Sequence, residues 1–208
     1  MGLDMYLKEV KDFESIEWAT DHEKEKENRY DKQVILKFKD GTEKQIFAYN
    51  LYGLNLVNGN TLSICGVEDI TEDKLLVKIW NINAQEGEEH TLQMEVPFNI
   101  IKSVPYECAY WRKANQIHAW FVDNVQDGED DCGSYEVSGE QLLELVELCK
   151  EVLEKKTKDF SEATLPTCAG FFFGSYEYDD YYYEDIENTI NQLQNVKPND
   201  TFTYSSSW

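Results

Sequence analysis

Hydrophobic and polar positions change their period several times along this chain, and each change predicts a boundary between elements. Leu3–Val10 alternates well enough for a short strand, although Lys8 and Glu9 weaken the pattern. Residues Thr20–Lys32 form a charged run, expected as a solvated loop or helix. Val34, Leu36 and Phe38 then alternate with polar neighbours up to Asp40-Gly41, and Ile46 and Ala48 resume the alternation beyond. Asp-Gly between two period-two runs predicts a hairpin, because the tight turn needs a positive φ that Gly adopts freely. Leu75–Trp80 and Thr91–Val96 predict two further strands, while Asn50–Asn60, rich in Asn and Gly, reads as loop. Residues 30–105 are therefore expected to be β-rich and meander-like, ending at Pro97 and Pro105.

From Tyr110 the period becomes helical. Tyr110, Ala114, Ile117 and Phe121 recur at helical spacing, which predicts one helix over Tyr110–Val125, ended by Asp127-Gly128. A second helix starts at Ser138, a good N-cap with Gln141 three residues on. Leu142, Leu145, Val146, Cys149, Val152 and Leu153 form its stripe. Gly170-Phe171-Phe172-Phe173-Gly174 is short, apolar and glycine-bounded, as a buried strand would be. A third helix is expected from Asp179 or Asp180, carrying Tyr182, Ile186, Ile190 and Leu193, and the Ser-rich tail ends in a Trp able to pack back. The fold class is α+β, with helices on a small mixed or antiparallel sheet and a β-rich meander-like region.

Composition narrows the partners. The chain has 208 residues, enough to bury a core without staples. Forty-one acidic against nineteen basic residues give a net charge of −22, which repels nucleic acid and anionic membranes and favours basic partners. An acidic surface that only keeps the protein soluble is the plainer alternative. Five widely spaced cysteines, with no Cys-x-x-Cys, indicate neither a disulfide framework nor a zinc ribbon. The N-terminal residues carry an early Asp and no apolar run, unlike a signal peptide, and nothing approaches the roughly eighteen apolar residues of a membrane span. The expected compartment is a reducing cytoplasm.

The chemistry-bearing residues concentrate in the predicted helix over Tyr110–Val125. At about 100° per residue, Trp111, His118 and Val122 flank its apolar face on one side, with Asn115 beyond. Lys113, Trp120 and Asn124 flank it on the other, while Arg112, Gln116 and Asp123 point away. Trp faces stack on planar rings, Lys and Arg take phosphates, and Asn reads base or ribose edges. Trp111, Arg112, Lys113, Asn115, His118, Trp120 and Asn124 are thus candidate ligand-binding residues. The competing expectation makes Trp111 and Trp120 core anchors and His118 a hydrogen-bonded interior residue. No spacing supports a metal site, a cofactor or a Cys–His pair from Cys132 or Cys168. Asp130-Asp131 and Asp179-Asp180 are more simply turn and helix-start acids than cation ligands. Asp159–Val196 contains no Lys or Arg but carries five tyrosines. Asp179, Asp180, Tyr181, Tyr182, Glu184 and Asp185 are its candidate partner-binding residues, against the alternative of a solvated helix face over an aromatic core.

Several segments together resemble a family of small proteins encoded mainly by bacteriophages and prophages. They are Met1–Leu7, Tyr110–His118, Trp120–Gly128 with Asp130-Asp131-Cys132, Leu165-Pro166-Thr167, Gly170–Ser175 with Tyr178-Asp179, and Ser206-Ser207-Trp208. The pattern leaves out about 15–105, which implies an α+β core of 1–14 and 106–208 elaborated by a β-rich insertion. The resemblance implies a counter-defence protein in the cytoplasm of an infected bacterium. It would act by sequestering a nucleotide-derived immune signal in an aromatic and basic pocket, or by blocking a basic host protein that normally holds nucleic acid. A pocket at a subunit boundary of a homo-oligomer would reconcile Arg112 with its neighbours. A hydrolase using His118 is the least supported of the three.

Overall fold

A computed structural model describes residues 2–19, 32–85 and 88–208, so the charged run lies outside the described residues except for Lys32. The chain divides into two compact units, Met1–Glu9 with Glu107–Trp208, and Val10–Tyr106. Both divisions fall inside strands rather than in linkers. The first strand, β1 (Asp4–Trp18), runs well past the expected end at Val10. Met5 and Leu7 are buried in one unit, Phe13 and Ile16 in the other, and the burial pattern loses its regular alternation at Val10. Lys8 and Glu9 keep the alternation, with Glu9 buried, so their charge hides a pattern that breaks only at Val10.

In the unit Val10–Tyr106, β2 (Gln33–Phe38) pairs antiparallel with the later part of β1 and with β3 (Glu43–Phe47). Gly41 takes φ +79° in the expected hairpin turn, and Asp40 accepts from the Thr42 amide at 2.9 Å. The stretch expected as loop over Asn50–Asn60 instead contains β4 (Gly53–Leu56), which pairs with β5 (Thr61–Ser63). Asn55 is tolerated there because its amide is satisfied sideways, donating to Ser103 Oγ at 3.1 Å and accepting from Thr61 Oγ1 at 2.9 Å. Next come β6 (Gly66–Ile70), β7 (Lys74–Trp80) and β8 (Thr91–Pro97), an antiparallel three-stranded sheet that includes both strands expected at 75–96. Then β9 (Ile101–Arg112) passes through Pro105, where no break occurs. Regular pairing with β4 has given way there to an isolated bridge, Leu51 to Tyr106.

The second unit corrects the expected helix over Tyr110–Val125. Its first residues belong to β9, where Ala109 and Trp111 are buried and Tyr110 and Arg112 exposed. Lys113 reverses the chain at φ 60°, and α1 (Asn115–Val125) begins only after Ala114. The helix ends before Asp127 and Gly128, both at positive φ. The shared spacing of Tyr110, Ala114 and Ile117 was coincidental, because a strand alternation abutted a helix.

After α1 come β10 (Ser134–Ser138), α2 (Gly139–Lys155), the short α3 (Lys158–Thr164), α4 (Asp180–Leu193) and β11 (Thr201–Ser207). Ser138 caps α2 with the complete reciprocal box to Gln141. Asp179 caps α4, accepting from the Tyr182 amide. The Ser-rich tail is a strand between β10 and β1, burying Phe202, Tyr204 and Ser206 on one side. Gly170–Gly174, by contrast, is no strand. Phe171 is 80% exposed and Phe172 55%, leaving only Phe173 in the interior. The helices cover a sheet ordered β10-β11-β1-β9, over a core centred on Phe121, whose ring stacks on Tyr204 at 3.8 Å. The fold is α+β.

The start of α2 lies tightly against the turn before β11. A Cβ on Gly139 would come within 1.9 Å of the Lys197 carbonyl oxygen, a backbone atom held in a turn. Gly139→Ala is expected to destabilise by about 2–3 kcal/mol through overpacking. The neighbouring Ser138→Ala loses only a cap, about 1 kcal/mol. Chemical denaturation of the two variants checks that order.

Candidate functional site

The reversal at Lys113 brings the end of β9, the start of α1, the 168–175 loop and α4 together. Between them lies a cleft of about 460 Å³, lined by Arg112, Lys113, Gln116, Gly174, Ser175, Glu177, Asp179, Tyr181, Tyr182, Glu184 and Asp185. All of these residues belong to one unit. The two cations come from the β9–α1 junction and the four carboxylates from α4 and the segment before it. Arg112 lies 3.8 Å from Asp4, outside that acidic group.

Asn115 builds one wall. Its buried amide donates to the Phe173 carbonyl at 3.2 Å and to the Ser175 carbonyl at 2.8 Å, and accepts from the Cys168 amide at 3.2 Å. Gly174, at φ +105°, sits so close that a Cβ would lie 2.9 Å from the Lys113 carbonyl oxygen. Asp185 lies on the cleft floor beside buried Gln116, whose amide donates to it at 3.4 Å. Burial pushes the Asp185 carboxyl up to about 6, the Gln116 bond opposes the rise, and the charges of Glu184 and Asp179 reinforce it.

Of the seven residues expected to bind a ligand, the structure brings only Arg112 and Lys113 to this cleft. Trp111 is 1% exposed, with its indole N–H donating to Thr189 Oγ1 at 2.9 Å. Trp120 packs edge-on against Phe121 inside the core. Asn115 is committed to the loop, and Asn124 is exposed, donating to the Trp120 carbonyl. His118 is fully buried, Nδ1 against the Tyr204 hydroxyl at 2.7 Å and Nε2 against Asp130 at 3.0 Å. Trp111 lies in β9, and Trp111, His118 and Trp120 take the interior places that the competing expectation gave them. The six partner-binding candidates fare differently. Asp179, Tyr181, Tyr182, Glu184 and Asp185 line the cleft, and Asp180 is exposed beside it, although the Tyr182 ring itself is buried.

The paired acids have structural work. Asp130 is shared by His118 and the Trp208 indole, and Asp131 accepts from the Gly133 amide and the Tyr135 hydroxyl. Burial, with the nearby charge of Asp130, pushes the Cys168 thiol up to about 11, so it is no thiolate at neutral pH. Among the described residues, no group of three or more His, Cys, Asp or Glu could hold a metal ion. No helix among them is long and apolar enough to cross a membrane.

No family model, curated protein or solved structure matches this chain. The geometry therefore stands without a template. Gln116, Gly174, Ser175 and Glu177 are the cleft residues outside both sets of candidates. The period-two alternation of Ala109 and Trp111 against Tyr110 and Arg112 was the signal that places the helix start after Arg112.

Asn115→Asp keeps the shape of the side chain but faces two carbonyl oxygens with an acceptor. It is expected to cost about 3 kcal/mol, measured by denaturant unfolding. Asp185 is raised in the folded state, so its contribution is fully present below the unfolded value near 3.8 and is lost as pH rises through about 6. Asp185→Asn is expected to melt several degrees higher than the parent at pH 8, with the advantage shrinking towards pH 4. Thermal melts across that range check the sign.

Proposed function

We propose that this chain is a non-catalytic binding protein that engages a basic protein partner through the acidic, tyrosine-bearing surface of residues 176–187. The observation that carries the proposal is Tyr176 and Tyr181 standing 49% and 74% exposed among Glu177, Asp179, Asp180, Glu184 and Glu187. An amphipathic helix commits its aromatic rings to the core, as α4 does with Tyr182; Tyr181 has no such role. Exposed tyrosines among carboxylates offer rigid contact area inside a field that steers cationic surfaces towards them. With the phage-family resemblance, the partner is a host defence protein whose basic groove normally holds nucleic acid, the carboxylates standing where phosphates would lie.

A second reading is favoured by Arg112 and Lys113 at the cleft mouth, with Tyr181 available for stacking. In it the cleft holds a nucleotide-derived signal intact. Four carboxylates around the same cleft oppose a polyanion, which ranks this reading second. A hydrolytic role for His118 fits least, since both ring nitrogens are engaged inside the core.

Pull-down from bacterial lysate is expected to recover proteins that hold nucleic acid, released by salt and competed by added duplex. Exchanging exposed Glu177, Glu184 and Glu187 together for Lys is expected to abolish recovery without changing the melting temperature by more than a few degrees. Recovery that ignores the triple exchange, or calorimetric heat from a cyclic dinucleotide that the exchange does not weaken, counts against the protein-partner reading.

A further inference from the structure

Phe171 and Phe172 are apolar residues the fold goes out of its way to display. Phe171 is 80% exposed, Phe172 is 55% exposed, and their rings meet edge-on at a centroid distance of 4.3 Å. Phe172 stands at φ 64°, the left-handed region that a bulky aromatic residue rarely enters. A loop free to choose would turn one ring inward and relax that backbone.

This loop is held open from both ends. Asn115 grips it through the Cys168 amide and the Phe173 and Ser175 carbonyls. Phe173 plugs the interior, edge-on to His118 at 5.3 Å and against Trp208 at 6.0 Å. The tip therefore combines backbone strain, apolar exposure and rigid mounting. Those three properties together mark an anchor whose ordering is complete before it meets a partner.

We infer that Phe171 and Phe172 form an aromatic anchor that inserts into an apolar pocket on the basic partner protein. The identity of the occupant follows from charge. Gly174 and Ser175, just beyond the tip, line the same cleft as Glu177, Asp179, Glu184 and Asp185, whose carboxylates outnumber the cations Arg112 and Lys113 there, so a pocket with a cationic rim is the complement. The inference rests on the proposed protein-binding function and adds the apolar contact that acidic side chains alone do not supply. The same acids disfavour a lipid surface bearing negative charge.

The test uses the full chain and three synthetic helical peptides: one of Lys and Leu, one of Lys and Ser, and one of Glu and Leu. Binding is followed by calorimetry at low and moderate salt. The parent is expected to bind the Lys/Leu peptide about tenfold or more tighter than the Lys/Ser peptide, and the Glu/Leu peptide not at all. The double variant Phe171→Ser with Phe172→Asn is expected to lose that tenfold preference while keeping its Lys/Ser affinity. Asn tolerates the left-handed backbone, so this variant is expected to melt no lower than the parent, which separates lost binding from lost fold. The triple Glu-to-Lys variant loses both Lys peptides. A double variant that keeps the preference, or a parent that shows none, overturns the anchor while leaving the acidic surface standing. Equal binding of Glu/Leu and Lys/Leu peptides overturns the acidic-surface function itself. Binding of the parent to neutral phosphatidylcholine vesicles, lost in the double variant, overturns the protein pocket in favour of a lipid wedge.

Discussion

The candidate site depends on one side chain that faces no solvent. Asn115 opens α1 two residues after the left-handed Lys113, and its carboxamide is committed to three backbone groups of the 168–175 loop. An amide is the side chain that fits, because it offers two donors and an acceptor from one rigid plane. A carboxylate would repel the two carbonyls, and an apolar residue would strand all three groups. Through this grip the strand-to-helix junction fixes the loop that walls the cleft and carries the aromatic tip.

A second buried polar arrangement locks the other side of the same loop. His118 joins the Tyr204 hydroxyl on β11 to Asp130, and Asp130 also accepts from the Trp208 indole. Phe173 fits between His118 and Trp208. Trp111, Asn115, His118 and Trp120, four of the seven residues that looked like a binding set in the sequence, are thus buried supports. Aromatic and polar side chains bordering an apolar face can be either, and the outcome turned on burial, which composition and spacing do not encode.

The elements legible in advance were those with one uninterrupted period and their own punctuation. The hairpin around Asp40-Gly41, α2 behind its capping box and α4 behind Asp179 are of this kind. What escaped was wherever two periods abutted or polar residues were paid for by neighbours. The strand Ile101–Arg112 runs almost directly into α1, so Tyr110 and Ala114 looked like successive turns of one helix. Asn55 in β4 read as loop, and the serines of β11 gave no strand signal, although their strand partners accommodate them. Gly170–Gly174 misled differently, since three consecutive Phe imply burial unless backbone constraints force two of them outward. Asp179, Tyr181, Glu184 and Asp185, singled out by the absence of Lys and Arg around them rather than by their period, lie along the cleft.

Helix stability accounts for only part of the acidity of α4. Asp179 caps the helix, and Asp180 in the first turn suits the positive end of the dipole. Glu184 and Glu187 lie beyond that turn, and no basic residue occupies the last turn. Asp180 to Glu184 and Glu184 to Glu187 are like-charge neighbours at helical spacing, each unfavourable by about 0.2–0.5 kcal/mol. Burial, reinforced by the charges of Glu184 and Asp179, hinders the ionisation of Asp185. A helix arranged for its own stability would place a Lys or Arg among these positions, as α2 does with Lys150 beside Glu147. The uncompensated charge is therefore a cost in the free chain that a cationic surface would relieve, and the strained Phe172 beside it is a cost of the same kind.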